Sequence, residues 1–201
     1  MSAAAAASEM SAAAATSSVP RPIKALVLDF DSTISTPTFL KRTNCWCVAD
    51  NVELFRSMTE EEILANFGGM ARVKALEALL RALAEKGVVL HIVSIGYKAA
   101  IVPHLKAVGL LRFFDDERIW GQDCRPLREF SYVKGRLIGE LIMRPNGWQS
   151  DDCLFVDDSK DHIDNAAPIC RTLLVTSKAT VGGMGEYELS EIRRAAGLPG
   201  A

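Results

Sequence analysis

The sequence has no excess of either charge. Lysine and arginine number 23 against 25 acidic residues, a net charge of −2 at pH 7. A basic footprint for nucleic acid is therefore missing. No apolar run approaches the ~18 residues that a membrane-spanning helix needs. The longest candidates are cut by charge, glycine or proline. Neither a nucleic-acid nor a membrane partner is expected. Cysteine is sparse, odd in number and scattered: Cys45, Cys47, Cys124, Cys153 and Cys170. These read as reduced thiols of a reducing compartment. Cys45-Trp46-Cys47 has no second pair at ligand spacing, so it reads as core or substrate-facing packing rather than a metal site. Residues 1–20 lack the basic start and the strongly apolar centre of a secretory signal. They are rich in Ala and Ser, and the first arginine is Arg21. The expectation is a disordered tail on a cytoplasmic protein, with an organelle transit peptide as the alternative. There is no internal repeat.

What is present is enough apolar sequence for a core, 49% of 201 residues. That length suits one domain, residues 21–201, behind the tail of residues 1–20. Ile23–Asp29 reads as a buried strand. Thr59 and Glu62 form a capping box at the head of a helix that runs to Phe67. Val73, Leu76, Leu79, Leu80 and Leu83 recur at helical spacing and predict a helix over Met70–Lys86, stopped by Gly87. Strands follow at Val88–Val93, within Phe113–Trp120, at Cys153–Val156 and at Thr172–Val175. Helices are expected at Tyr97–Val108, at Ser131–Met143 with Ser131 as cap, at Asp161–Ile169 and at Glu186–Ala196. Val52–Arg56 is a short mixed segment. The alternation predicts an α/β fold: a Rossmann-like three-layer sandwich, with a largely parallel sheet and helices on both faces.

Polar groups fall at or near the strand ends. Asp29 and Asp31 follow the first strand, Ser94 follows the second, and Asp157-Asp158 follow Leu154-Phe155-Val156, with Asp161 three residues on. Lys134 stands near a helix start. In a parallel sheet all strand carboxyl ends face one way, so these groups converge on one crevice. Two carboxylates two residues apart repel unless a cation lies between them. Mg²⁺ suits a few carboxylates plus water and phosphate. Near such an ion a carboxylate can act as nucleophile, and a second acid can protonate a leaving oxygen and then activate water. Ser94 and Lys134 can hold phosphate oxygens, the lysine as a point charge.

These residues resemble the motifs of the haloacid dehalogenase-like (HAD) hydrolases. Asp29-Phe30-Asp31-Ser32-Thr33 matches the first motif, DxDx[TV]. HIVSIG at 91–96 matches the second, SYVKGRL around Lys134 the third, and FVDDSKDHIDNAA at 155–167 the fourth. Order and spacing both fit, over residues 23–175. The resemblance implies Asp29 as nucleophile and Mg²⁺ ligand. It implies Asp31 as general acid/base whose backbone carbonyl also binds metal. Thr33 would support the loop and the phosphate site, and Ser94 and Lys134 would bind the transferring phosphoryl group. Asp158 aligns with the metal-binding acid of the fourth motif. Asp157 is left either as a second metal ligand or as a support, and Asp161 as a holder of Lys134 or of a metal-bound water. The presence of Asp31 favours phosphate over carbon–halogen chemistry, because dehalogenases of the family lack that acid.

The expected activity is a Mg²⁺-dependent phosphatase working through an aspartyl-phosphate on Asp29. A phosphotransferase or phosphomutase using the same intermediate, and a non-catalytic regulatory protein, are the alternatives. Members of the family select substrates with an inserted cap. Residues 34–69 leave room only for a short flap or minimal cap, with Phe39, Trp46 and Phe55 as candidate flap contacts. Such an open site suits a larger phosphorylated substrate such as a phosphoprotein. A small phosphometabolite stays possible if the flap or a partner closes over it.

Overall fold

The computed structural model describes residues 21–37, 48–176 and 182–199. Five strands form one sheet: β1 Ala25–Leu28, β2 Val89–Val93, β3 Ile119–Trp120, β4 Cys153–Asp157 and β5 Arg171–Leu174. Their order is β3-β2-β1-β4-β5, and every pairing is parallel. β1 is the central strand. Leu28 pairs with Ile92 on one side and Val156 on the other, so the ends of β1, β2 and β4 are level. The expected tail of residues 1–20, the Cys45-Trp46-Cys47 segment, Phe39 and Trp46 all lie outside the described residues.

Both sheet faces are buried, which is why the strands read as continuous apolar runs. Successive side chains alternate between the faces. Leu26, Leu28, Leu90, Ile92, Leu154 and Val156 share one core cluster with Leu76, Leu79, Leu80 and Leu83 of α3 (Met70–Glu85). α4 (Lys98–Ala107) adds Ile101 and Leu105 to that cluster, and α8 (Glu186–Ala195) adds Ile192. Each fully buried leucine there contributes about 1.5–3 kcal/mol. Ala25, Val27, Val93 and Phe155 face the other way. They meet Leu127 of α5 (Arg125–Glu129), Leu137 of α6 (Lys134–Leu137) and Ile163 of α7 (Lys160–Ala166). The result is the expected three-layer sandwich.

Two helices fill the stretch between β1 and α3: α1 (Val48–Ser57) and α2 (Glu60–Asn66). The capping box of α2 forms, with Glu62 N–H to Thr59 Oγ1 at 3.2 Å and Thr59 N–H to Glu62 Oε2 at 2.9 Å. α1 is longer than the mixed segment read from sequence. Phe55, a candidate flap contact, packs inward, its ring 4.0 Å from that of His104 on α4. Asn66 and Phe67 at the end of α2 are fully buried.

One expected helix starts late. Ser131 is not a cap: it and Tyr132 both take left-handed backbone, φ 54° and 63°, and α6 begins only at Lys134. After Leu137 the helix widens over Ile138–Met143. α5 just before it was not expected from sequence. It begins on Arg125-Pro126, where proline suits a first helical turn.

Candidate active site

Asp29 continues β1 by one residue, its N–H bonded to Val156 O at 2.9 Å. The chain then leaves the sheet in a single wide turn, Phe30–Ile34, closed by Ser35 N–H to Phe30 O at 2.9 Å. Asp31 stays extended at ψ 128°, and Ser32 swings to φ 57°. A non-glycine residue there costs of order 1 kcal/mol and persists only where the surroundings impose it. The turn buries Phe30, Thr33 and Ile34 and leaves Asp31 half-buried, its carboxylate against Gly96.

Gly96 makes room for that carboxylate. A Cβ on Gly96 would stand 2.6 Å from Asp31 Oδ2 and 3.3 Å from Ser94 Oγ. Ser94, fully buried after β2, bonds its N–H to Trp120 O at 2.9 Å. Its hydroxyl accepts the Gly96 N–H at 3.1 Å, and its nearness helps to lower the pKa of the Asp29 carboxyl against the rise from burial.

Lys134 enters from the opposite layer. The left-handed pair Ser131-Tyr132 turns the chain back so that the first residue of α6 points into the crevice. Gly135 allows α6 to lie against α7, since a Cβ there would meet Asn165 O at 2.8 Å. The buried ammonium lies 2.6 Å from Asp29 Oδ1 and 2.7 Å from Asp157 Oδ2. Burial would lower its pKa, but the two carboxylates outweigh that and hold it above the ordinary lysine value.

Asp157 and Asp158 have different surroundings. Asp157 is buried, accepting Ser159 N–H on Oδ1 at 2.8 Å and Lys134 on Oδ2. His162 Nδ1 stands 3.2 Å from Oδ2. Burial pushes Asp157 up, yet His162, Lys134 and Ser159 together hold it below the usual carboxylate range. Asp158 is exposed, and burial of its acid group beside Asp29 and Asp157 raises it to about 6. Asp31 is raised to about 7, first by burial and then by the Asp29 charge. Asp29 itself is raised by burial, with Lys134 pulling against the shift.

Four acids thus crowd around one ammonium, and three of them are pushed toward protonation. Asp29, Asp157 and Asp158 each offer an oxygen within 4.8 Å of the others. A hard divalent cation fits this donor set and would relieve the repulsion. Both Asp157 oxygens are hydrogen-bonded, to Ser159 and Lys134, whereas Lys134 takes only Oδ1 of Asp29 among the described hydrogen bonds.

The sequence-predicted groups fall as follows. Asp29, Asp31, Ser94, Lys134, Asp157 and Asp158 come together at the strand ends. Thr33 lies just beneath: its carbonyl accepts Met184 N–H at 3.0 Å, while its buried hydroxyl has no partner among the described residues. Asp161 does not reach Lys134 among the described hydrogen bonds. It is exposed in the first turn of α7, and its carbonyl accepts the Asn165 amide at 2.7 Å. Asp157 does the holding instead. Gly96 and His162 were not singled out from sequence, although both lie inside quoted motifs. His91 on β2 is buried and stacked on Trp120, ring centroids 5.4 Å apart.

No family model and no curated protein matches the chain. Solved structures do. A proposed phosphatase from Clostridium difficile is similar at 15% identity and TM-score 0.51, over 86% of this chain and 92% of that one. The chain shares that protein's α/β fold. A HAD phosphatase from Thermococcus onnurineus is 20% identical at TM-score 0.48, covering 87% of this chain and 98% of its own. A haloacid dehalogenase-like hydrolase from Streptococcus pneumoniae is 14% identical at 0.46, covering 85% and 91%. One fold carries many chemistries, so the activity lies in the crevice and not in the fold.

Proposed function

We propose that this chain is a Mg²⁺-dependent phosphatase that hydrolyses a phosphate monoester through an aspartyl-phosphate on Asp29. One observation carries the reading: the Lys134 ammonium bonds Asp29 Oδ1 at 2.6 Å, while no described ion pair reaches Asp31, which burial raises to about 7. Lys134 opposes the rise that burial gives Asp29, so Asp29 suits a nucleophile and Asp31 a proton carrier.

In the first half-reaction an Asp29 oxygen attacks phosphorus and the bond to the ester oxygen breaks. Asp31, protonated, gives its proton to that leaving oxygen. In the second half, Asp31 as carboxylate takes a proton from the attacking water, releasing inorganic phosphate and free Asp29. Lys134 and the Ser94 hydroxyl stand beside Asp29, placed to hold the transferring oxygens. Held by Asp29, Asp158 and the Asp31 carbonyl, Mg²⁺ would supply the positive charge that lets a dianionic ester approach these acids. His162 and Ser159 keep Asp157 fixed so that Lys134 stays aimed.

The test is turnover of p-nitrophenyl phosphate and of a panel that includes phosphopeptides. Turnover should require Mg²⁺ and vanish in Asp29→Asn. A purified chain that cleaves nothing on the panel and binds neither Mg²⁺ nor beryllofluoride would sink the proposal.

A further inference from the structure

Arg72 lies outside the crevice and is not paired with an acid in any described ion pair. It stands in the first turn of α3. Its guanidinium donates to four backbone carbonyls: Ile34 O at 2.6 Å, Thr33 O at 3.0 Å, Phe67 O at 3.1 Å and Met184 O at 3.1 Å. These belong to three separate segments. Thr33 and Ile34 end the turn that carries Asp31. Phe67 ends α2, where the chain returns from the insertion. Met184 lies in the stretch between β5 and α8.

The same three segments are stitched beside Arg72. Thr36 N–H and Oγ1 both bond to Asn66 O, at 2.7 and 3.1 Å. Met184 N–H bonds to Thr33 O. Glu188 receives Thr176 N–H at 3.0 Å and Gly185 N–H at 2.8 Å, closing the stretch after β5 at both ends. Gly183 lies so near that a Cβ would stand 2.5 Å from Arg72 Nη2 and 2.6 Å from Ser35 O.

We infer that Arg72 is a positioning residue for the Asp29–Asp31 turn, locking it to the neck of the insertion and to the segment after β5. A planar fork that donates in several directions can join three backbones at once, which a lysine point charge cannot. Burial lowers the guanidinium pKa to about 10, so the charge persists at neutral pH. The catalytic consequence rests on the phosphatase reading above.

Arg72→Lys keeps the charge and loses the fork. Arg72→Gln removes the charge and keeps one planar donor group. Both should lower kcat by about 10- to 100-fold, the scale of an ångström misplacement. KM and Mg²⁺–beryllofluoride affinity should stay within about 3-fold, because uniform binding is untouched. Amide exchange at Ser35, Thr36 and Met184 should quicken by about 10-fold or more while the sheet amides stay protected. The inference is overturned if exchange at those amides does not change. It is also overturned if exchange quickens with kcat intact, or if kcat falls only in step with the folded fraction. Should the unaltered chain turn over no phosphate ester, the phosphatase reading fails alone, and exchange in the two variants still decides whether Arg72 holds the turn.

Discussion

Two acid pairs meet at the centre of this sheet, and they are built in opposite ways. The pair after β1, Asp29 and Asp31, sits on a turn whose backbone is held from a distance, by Arg72 and Met184. Of its carboxylates, Asp29 meets Lys134 and Asp31 meets no described cation. The pair after β4 is held by its own side chains: Asp157 bonds Ser159, His162 and Lys134, while Asp158 is exposed. On the proposed phosphatase reading, identical residues would divide into nucleophile, proton carrier, anchor and ligand through what surrounds them.

The comparison breaks first at Asp29. Asp29→Asn should lower turnover on the order of 10⁴-fold, the scale seen when a catalytic carboxylate is lost. A steady-state assay showing less than a 10-fold loss would move the nucleophile elsewhere. The second pair can be split. Asp157→Asn should cost about 3 kcal/mol in urea unfolding, the low end for breaking a buried pair, since Asp29 remains for Lys134. Asp158→Asn should leave stability within about 0.5 kcal/mol. It should weaken Mg²⁺ binding by calorimetry at least about 10-fold. If the two variants exchange these phenotypes, the assignment of anchor and ligand is wrong.

Gly96→Ala is a milder probe. Its Cβ meets side-chain atoms and no backbone, the Asp31 carboxylate and the Ser94 hydroxyl, so the melting temperature should hardly move while kcat falls about 10-fold. A normal kcat would show that Asp31 tolerates displacement. The smallest effect is that of pH on the metal-free chain. Asp31 and Asp158 have folded-state values raised to about 7 and about 6, above those of the unfolded chain. Between about pH 4 and 7 the folded state therefore holds more protons, and stability falls as pH rises through that window. The drop should be of order 1 kcal/mol after screening, because both acids touch solvent. Mg²⁺ should flatten it; denaturant midpoints at pH 5 and 7.5, with and without the ion, measure both.

The sheet and most helices were legible in the sequence because each has a local signature. The DFDST end of β1, the capping box of α2 and the leucine period of α3 are examples. The convergence of Asp29, Ser94, Lys134 and Asp157-Asp158 followed from parallel strands alone. What could not be read depends on contacts distant in sequence. Asp161 lies three residues from Asp158, but helix geometry turns it outward, and the lysine finds Asp157 instead. Arg72 looks like any polar position of an amphipathic helix until three loops fold onto it. Ser131 fits a helix cap in sequence, yet it takes left-handed backbone, and nothing in the local pattern marks that choice.

The placement of β1 has a consequence for the order in which the molecule is made. Among the five described strands the central one is made first, and its neighbour β2 follows some 60 residues later. Its other neighbour, β4, and the lysine between them come only after residue 133. A growing chain can pair β1 on one edge while Asp29 still lacks its counter-charge. Such long-range pairing forms slowly. Until β4 closes the other edge, the nascent protein has a half-paired hydrophobic strand and no working crevice, and truncation anywhere before Asp158 should yield a chain that neither folds nor reacts.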